Sequence, residues 1–206
     1  MKLALALAAL LLAAACGSEG AGTATTTTAT APESWPTAVP AAPAAVTTRG
    51  IATVMDIGSP ELCLGAVAES WPPQCSGPAI EGWDWSRHKG MYESQQGTRW
   101  GQFVVTGTWD GTTMSVESAV PAPLYDAMAE EPPALPTPAV EHTPAELDEI
   151  ADEVVSDLPG AQGASTRDGH VQVDVTYDDG SLQAWVDETY GDDVVVVTSM
   201  LQDVQD

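Results

Sequence analysis

Positive charge is scarce in this chain: 6 Lys and Arg stand against 30 Asp and Glu, a formal charge of −24 and a sequence pI near 4.1. So acidic a protein is repelled by phosphate backbones, which argues against nucleic acid as a partner. Histidine is equally sparse, with 3 residues at positions 88, 142 and 170, none beside a Ser or Cys pattern that marks a nucleophile. Cysteine occurs at 16, 63 and 75 only, with no Cys-x-x-Cys spacing and no nearby histidine, so neither redox chemistry nor a metal centre is expected. Also missing are the nucleophile elbow, the His-Glu-x-x-His zinc helix, the phosphate loop and the dinucleotide fingerprint. These absences point away from an enzyme and from any cofactor, although a carboxylate pair would leave no local signature.

What is present begins with a leader. Lys2 precedes an apolar run from Leu3 to Leu12, then Ala13-Ala14-Ala15-Cys16. A run that short cannot span a bilayer, which takes about 20 residues, but it fits the apolar region of a secretory signal. Small residues ahead of a cysteine resemble the lipobox of bacterial lipoproteins. That resemblance implies a signal peptide over residues 1–15, cleavage before Cys16, a diacylglycerol on the Cys16 thiol, and a membrane partner reached through that lipid on the extracytoplasmic face. The alternative is an ordinary cleaved signal. If Cys16 carries lipid, Cys63 and Cys75 remain as a pair, and an exported chain is where a disulfide persists. Such a bridge closes a short loop and contributes about 3 kcal/mol on the chain-entropy view.

After Cys16 the composition turns to Ala, Thr, Pro, Gly and Ser, including a Thr run at 25–28. Apart from Trp35 and scattered Val, little there offsets the entropy of folding, so residues 16–48 read as a disordered tether that holds the folded part off the membrane.

Residues 49–126 hold short apolar runs bounded by turn residues: 51–55, 62–67, 103–109 and 113–116, the last two flanking Asp110-Gly111, a strong hairpin signal. No window keeps helical spacing. The expected fold is a small antiparallel β-barrel or sandwich, with an oligonucleotide/oligosaccharide-binding-type barrel as one topology. The tract from Leu62 through Ser70-Trp71-Pro72-Pro73-Gln74-Cys75 to Gly82-Trp83-Asp84-Trp85 resembles uncharacterised secreted lipoproteins of actinobacteria; the resemblance implies export and small β domains, and no activity.

Of the 7 Trp, those at 71, 83, 85, 100 and 109 crowd this segment, and Arg87-His88-Lys89 is its basic cluster. Trp83 and Trp85 with Arg87 and Lys89 are therefore candidate ligand-binding residues, suited to stacking on a cell-wall sugar and holding an anionic group. The competing expectation is that the large aromatics simply fill a small barrel core. A wall-acting hydrolase would draw on Asp84 with Glu81 or Glu93.

Six prolines between 121 and 138 make residues 127–142 a Pro-rich linker. Residues 143–206 then read as an acidic α+β domain. Thr143, Pro144 and Glu146 spell an N-cap, a first-turn proline and a capping box, and Leu147, Ile150, Val154 and Leu158 follow at helical spacing until Pro159-Gly160. Arg167-Asp168-Gly169 turns into alternating Val171, Val173 and Val175; a second helix spans about 181–190, and a strand runs over 194–201. The order helix, strand, strand, helix, strand gives two helices on one face of a three-stranded sheet. From Glu141 onward 17 acids face Arg167 alone, yet Asp178-Asp179 and Asp192-Asp193 fall at opposite sheet edges, so the acids read as a solvated face. Function is expected to be a non-enzymatic binding or structural role at the cell envelope, its partner a wall glycan or an envelope protein.

Overall fold

The computed structural model describes residues 35–126 and 134–205. Cys16, the leader, most of the tether and the first part of the Pro-rich linker lie outside the described residues. Eleven strands and two helices follow one another as β1 (Ala45–Thr48), β2 (Ala52–Asp56), β3 (Pro60–Cys63), β4 (Ala79–Glu81), β5 (Glu93–Gln95), β6 (Thr98–Trp109), β7 (Thr113–Pro121), α1 (Pro144–Asp157), β8 (Ala161–Arg167), β9 (His170–Val175), α2 (Ser181–Tyr190), β10 (Val195–Ser199) and β11 (Leu201–Asp203).

The long strand β6 is the spine of the first half. Its first part pairs with β2 and its last with β1 on one edge, while β5 and then β7 take the other edge. Because β2, β3, β4 and β7 also pair in sequence, the sheet returns to β6 and closes as a five-stranded barrel. Alternation sends Val54, Phe103 and Val105 inward, where they meet Leu62, Ile80, Trp85, Trp109 and Met114. The strong hairpin signal at Asp110-Gly111 does join β6 to β7: the Asp110 carboxylate accepts from the Thr112 and Thr113 N–H groups, and Gly111 takes φ 98°. A register shift between Thr106 and Gly107 bends β6 as the barrel turns. Glycine is required there, because a Cβ at position 107 would overlap the Ser115 carbonyl.

The second half is the α+β layer its sequence pattern describes. Thr143 accepts from the Glu146 N–H through Oγ1 at 3.3 Å, and Glu146 Oε2 accepts from the Thr143 N–H at 2.7 Å, so the capping box starts α1. Its apolar stripe, Leu147, Ile150 and Val154, packs with Val171, Val173, Val175, Leu182 and Val186 in a second core. Strands β8 and β9 form a hairpin through Asp168 (φ 53°) and Gly169 (φ 83°), and the β9–α2–β10 crossover makes β10 parallel to β9.

Three boundaries read from sequence shift. The range read as disordered tether contributes β1 at its C-terminal end, Pro40 and Ala42 lie against Trp109, and Trp35 packs on Trp185 with ring centroids 4.2 Å apart. Those few apolar residues are ordered because the barrel and α2 present surfaces already built to receive them. The C-terminal strand read as one piece over 194–201 is two: past Ser199 it leaves β9, and β11 joins β1 at the rim of the barrel sheet. Leu201, fully buried, and Tyr177 belong to the barrel core rather than to the α+β core, so the two halves are knitted through one chain end. The described part of the linker is held too, by Ala139 N–H on the Asp192 carbonyl at 2.8 Å and by a 2.7 Å contact between His170 Nε2 and the Pro136 carbonyl.

Candidate functional site

The residues singled out by composition divide between the inside and the outside of the barrel. Trp85 is 5% exposed, packs with Phe103 and Tyr92, and gives its indole N–H to Asp56 Oδ2 at 2.8 Å. Trp83 lies edge-on to both Trp85 and Phe103 and stacks on His88 at 4.8 Å. These two indoles fill and cover the core rather than offering a face to a ligand. The short 3₁₀ turn Trp85–His88 carries Arg87 outward, exposed and 3.8 Å from Asp84; Lys89 follows it into solvent. Of the four candidates Trp83, Trp85, Arg87 and Lys89, Trp85 is therefore withdrawn into the core, Trp83 is half-buried, and Arg87 and Lys89 are exposed.

Asp84 is the cap of that turn. Its Oδ1 accepts from the Ser86 N–H at 2.9 Å, and hydrogen bonds from Ser86, with Arg87 adding to them, hold its carboxyl below the usual aspartate range. A general acid needs the opposite shift. Glu81 closes β4 in register with Ser115, and Glu93 opens β5 across from Trp100.

Cys63 and Cys75 are joined, and the loop they close carries a large exposed aromatic. Inside it, the Ala68 N–H donates to the Gln74 carbonyl at 2.8 Å and Ser70 Oγ donates to the Pro72 carbonyl at 2.8 Å, so the loop doubles back with Trp71 at its tip. The loop lies on the outer face of β2, β3 and β6. In that face Met55 pairs with Trp100 and Thr53 with both Cys63 and Gln102, so alternate residues of three strands form a floor. Met55, Cys63 and Trp100 are buried there with Cys75 packed against them, a small apolar cluster apart from the barrel core and the α+β core.

Trp71 meets this floor edge-on: its ring lies 5.1 Å from that of Trp100 with the planes at 88°. It remains 63% exposed all the same. Leaving most of an indole in water forgoes on the order of 2 kcal/mol of burial, and the disulfide loop holds it in that position. Between Trp71, Trp100, Met91 and Tyr92 opens a hollow of about 590 Å³, floored by Thr53 and Gln102 and bounded by Val67, Pro73 and Pro123. Its carboxylates are Glu69 and Glu93, and among the described residues none that lines it is basic. The volume falls within the range of small-molecule sites.

The sequence offers Trp83 and Trp85 as candidate ligand-binding residues with core filling as the competing expectation, and it does not single out Trp71, the tryptophan that stands exposed among the described residues. The signal that could have found it is its position inside the Cys63–Cys75 loop, flanked by Ser70 and Pro72-Pro73, where no strand pattern offers a core. A second hollow of about 570 Å³ separates the barrel from the open face of the β8–β10 sheet, between Arg49 and Arg167. Among the described residues there is no cluster of three His, Cys, Asp or Glu fit to hold a metal, and no helix long and apolar enough to cross a membrane. No protein-family model matches the chain, and comparison with curated proteins and with solved structures finds no match.

Proposed function

We propose that this protein is a lipid-anchored, extracytoplasmic binding module of the cell envelope, tethered through Cys16 and presenting the Trp71 hollow to an envelope ligand. The leader, with its small residues before Cys16, supports the anchor, and the Cys63–Cys75 bridge suits an exported chain. The observation that carries the binding role is Trp71 itself, mostly exposed at the tip of a stapled loop over a walled hollow.

A side chain so placed contributes little to the core. Trp71→Ala should therefore leave the melting temperature nearly unchanged while abolishing binding to envelope material. The test is co-sedimentation of the full chain carrying Cys16→Ser with purified cell envelopes, with and without Trp71→Ala. Equal sedimentation of the two proteins would remove the site from this reading. The anchor has its own check: Cys16→Ser should move the protein from the membrane to the soluble secreted fraction, and retention in the membrane would overturn the anchor.

A further inference from the structure

Resting on that binding role, we infer that the ligand of the Trp71 hollow carries an organic cation, an alkylammonium head group on an apolar body. The argument begins with the walls. Trp71 lines the hollow with most of its indole exposed, Trp100 lies buried against it at 88° with centroids 5.1 Å apart, and Tyr92 adds a third aromatic side chain to the lining. The face of an indole is the negative pole of its quadrupole, and it attracts a cation within about 6 Å. One exposed indole with carboxylates in the same lining suits a weakly hydrated ammonium, which both the ring face and the carboxylates attract.

The rim decides the sign of the charge. Glu93 is in register with Trp100 across β5 and β6, which puts both side chains on the same outer face, and Glu69 lies on the disulfide loop two residues before Trp71. Among the described residues no Lys, Arg or His lines the hollow to neutralise them: Arg99, the neighbour of Trp100, points to the opposite face and is spent on Asp56, and Arg87 pairs with Asp84. Beyond the rim, the whole chain carries a formal charge of −24, whose field draws cations toward such a cleft and turns anions away. The neutral polar side chains of the lining are Thr53, Tyr92, Gln102 and Ser70, and the Ser70 hydroxyl already donates within its own loop. Exposed indole, two carboxylates in the lining and the acidic charge of the chain all favour the same guest.

The test uses the full chain with Cys16→Ser and follows its indole N–H resonances, with Trp71 assigned through Trp71→Ala. The probes are choline, its uncharged isostere 3,3-dimethylbutan-1-ol, and an N-acetylglucosamine oligomer. Choline should shift the Trp71 resonance and bind at least tenfold more tightly than the isostere. Trp71→Ala should weaken choline at least tenfold, and the Glu69→Gln/Glu93→Gln pair at least threefold with the melting temperature unchanged. Equal affinity for choline and its isostere would overturn the cation while leaving the hollow a binding site. A shift by the sugar oligomer with none by choline would do the same. If no probe moves Trp71 and envelope sedimentation survives Trp71→Ala, both the cation and the site are wrong.

Discussion

Arg99 pairs with Asp56 in adjacent strands of the barrel and sets its Nη2 2.6 Å from the Asp56 Oδ2 atom, the same oxygen that receives the Trp85 indole N–H. Asp56 is 4% exposed, and the Gly58 N–H takes its other oxygen at 2.9 Å. One carboxylate thus ties β2, β6, the Trp85 turn and the β2–β3 turn together. Arg99 also lies over the Trp85 ring, 5.6 Å from its centroid. Burial alone would raise the Asp56 carboxyl, and it is the largest single influence; the Gly58 N–H, then Trp85, then Arg99 together outweigh it and leave the group below the usual aspartate range.

This carboxylate should therefore govern acid stability. A group lowered in the folded state stabilises the fold above its unfolded value near 3.8, and that stability is lost as pH falls through the lower folded value. Asp56→Asn, which keeps the shape but removes the charge, should cost about 1–3 kcal/mol at pH 7. The difference from the natural chain should shrink toward pH 2. Urea unfolding across pH 2–7 checks this; a constant difference would show that Asp56 acts by packing alone.

The Cys63–Cys75 bridge spans 12 residues, short enough for loop closure to contribute about 3 kcal/mol. Replacing both by Ser should lower the melting temperature by roughly 6–12 °C for a chain of this size. Reduction of the natural protein should reproduce the loss. Trp71 should respond more strongly than the barrel, because the bridge is what holds its loop on the Met55–Trp100 floor. The fluorescence of the natural chain minus that of Trp71→Phe, taken with and without reductant, isolates Trp71 from the other tryptophans; an unchanged Trp71 signal on reduction would mean the loop stays put by itself.

Local chemistry was legible in the chain, and distant pairing was not. The capping box at Thr143 and Glu146, the Asp110-Gly111 hairpin and the turn at Asp168-Gly169 each place their signal within four residues, where hydrogen bonds and backbone preferences act alone. A small β-barrel or sandwich followed by an α+β layer was legible from such signals and from the period of the valines; closure through the β6–β7 pairing came from the structure. Strand β1 escaped notice because a stretch rich in Ala, Pro and Thr with Val46 as its one fully buried apolar residue acquires order from β6 and β11 on either side. The hollow was invisible for the same reason: Thr53, Trp71, Met91, Trp100 and Pro123 come from five separate stretches that only the closed sheet brings together. Nor does the crowding of tryptophans sort itself in the sequence: burial selects Trp85 and Trp109 for the core and leaves Trp71 to solvent.

At alkaline pH the join between the two halves should give way through Tyr177. Its ring is 2% exposed within the barrel core and its hydroxyl donates to Asp203 Oδ1 at 3.0 Å, linking the end of β9 to β11. Burial first, then the bond to Asp203 and the charges of Asp203, Asp179 and Asp178, push its phenol up to about 12. A phenol raised on folding leaves the fold fully stable below the unfolded value of 10.0, and that stability is lost as pH rises toward 12. Tyr177→Phe should cost about 1 kcal/mol at neutral pH and remove one late-titrating phenol from the ultraviolet absorbance titration. Loss of an early-titrating phenol instead would place Tyr177 in solvent.

The outer edge of β10 is closed by a side chain acting as a neighbouring strand, and its removal should expose a surface for self-association. Gln183 accepts from the Val197 N–H through Oε1 at 2.8 Å and donates from Nε2 to the Val195 carbonyl at 2.9 Å. Its Nε2 also donates to Asp187 Oδ1 at 2.9 Å, which fixes the amide's orientation so that oxygen and nitrogen each face the right backbone group. Without it, a run of four valines would offer open N–H and C=O groups to another chain, the usual route to edge-to-edge pairing. Gln183→Ala should cost about 1–3 kcal/mol through the unpaired backbone groups. It should also raise the apparent mass in light scattering with concentration. Gln183→Glu is the sharper probe, because a carboxylate still accepts from Val197 but cannot donate to Val195 and repels Asp187; it should be at least as damaging as alanine above pH 6. If Gln183→Glu behaved as the natural chain, the edge would owe its protection to something other than this amide.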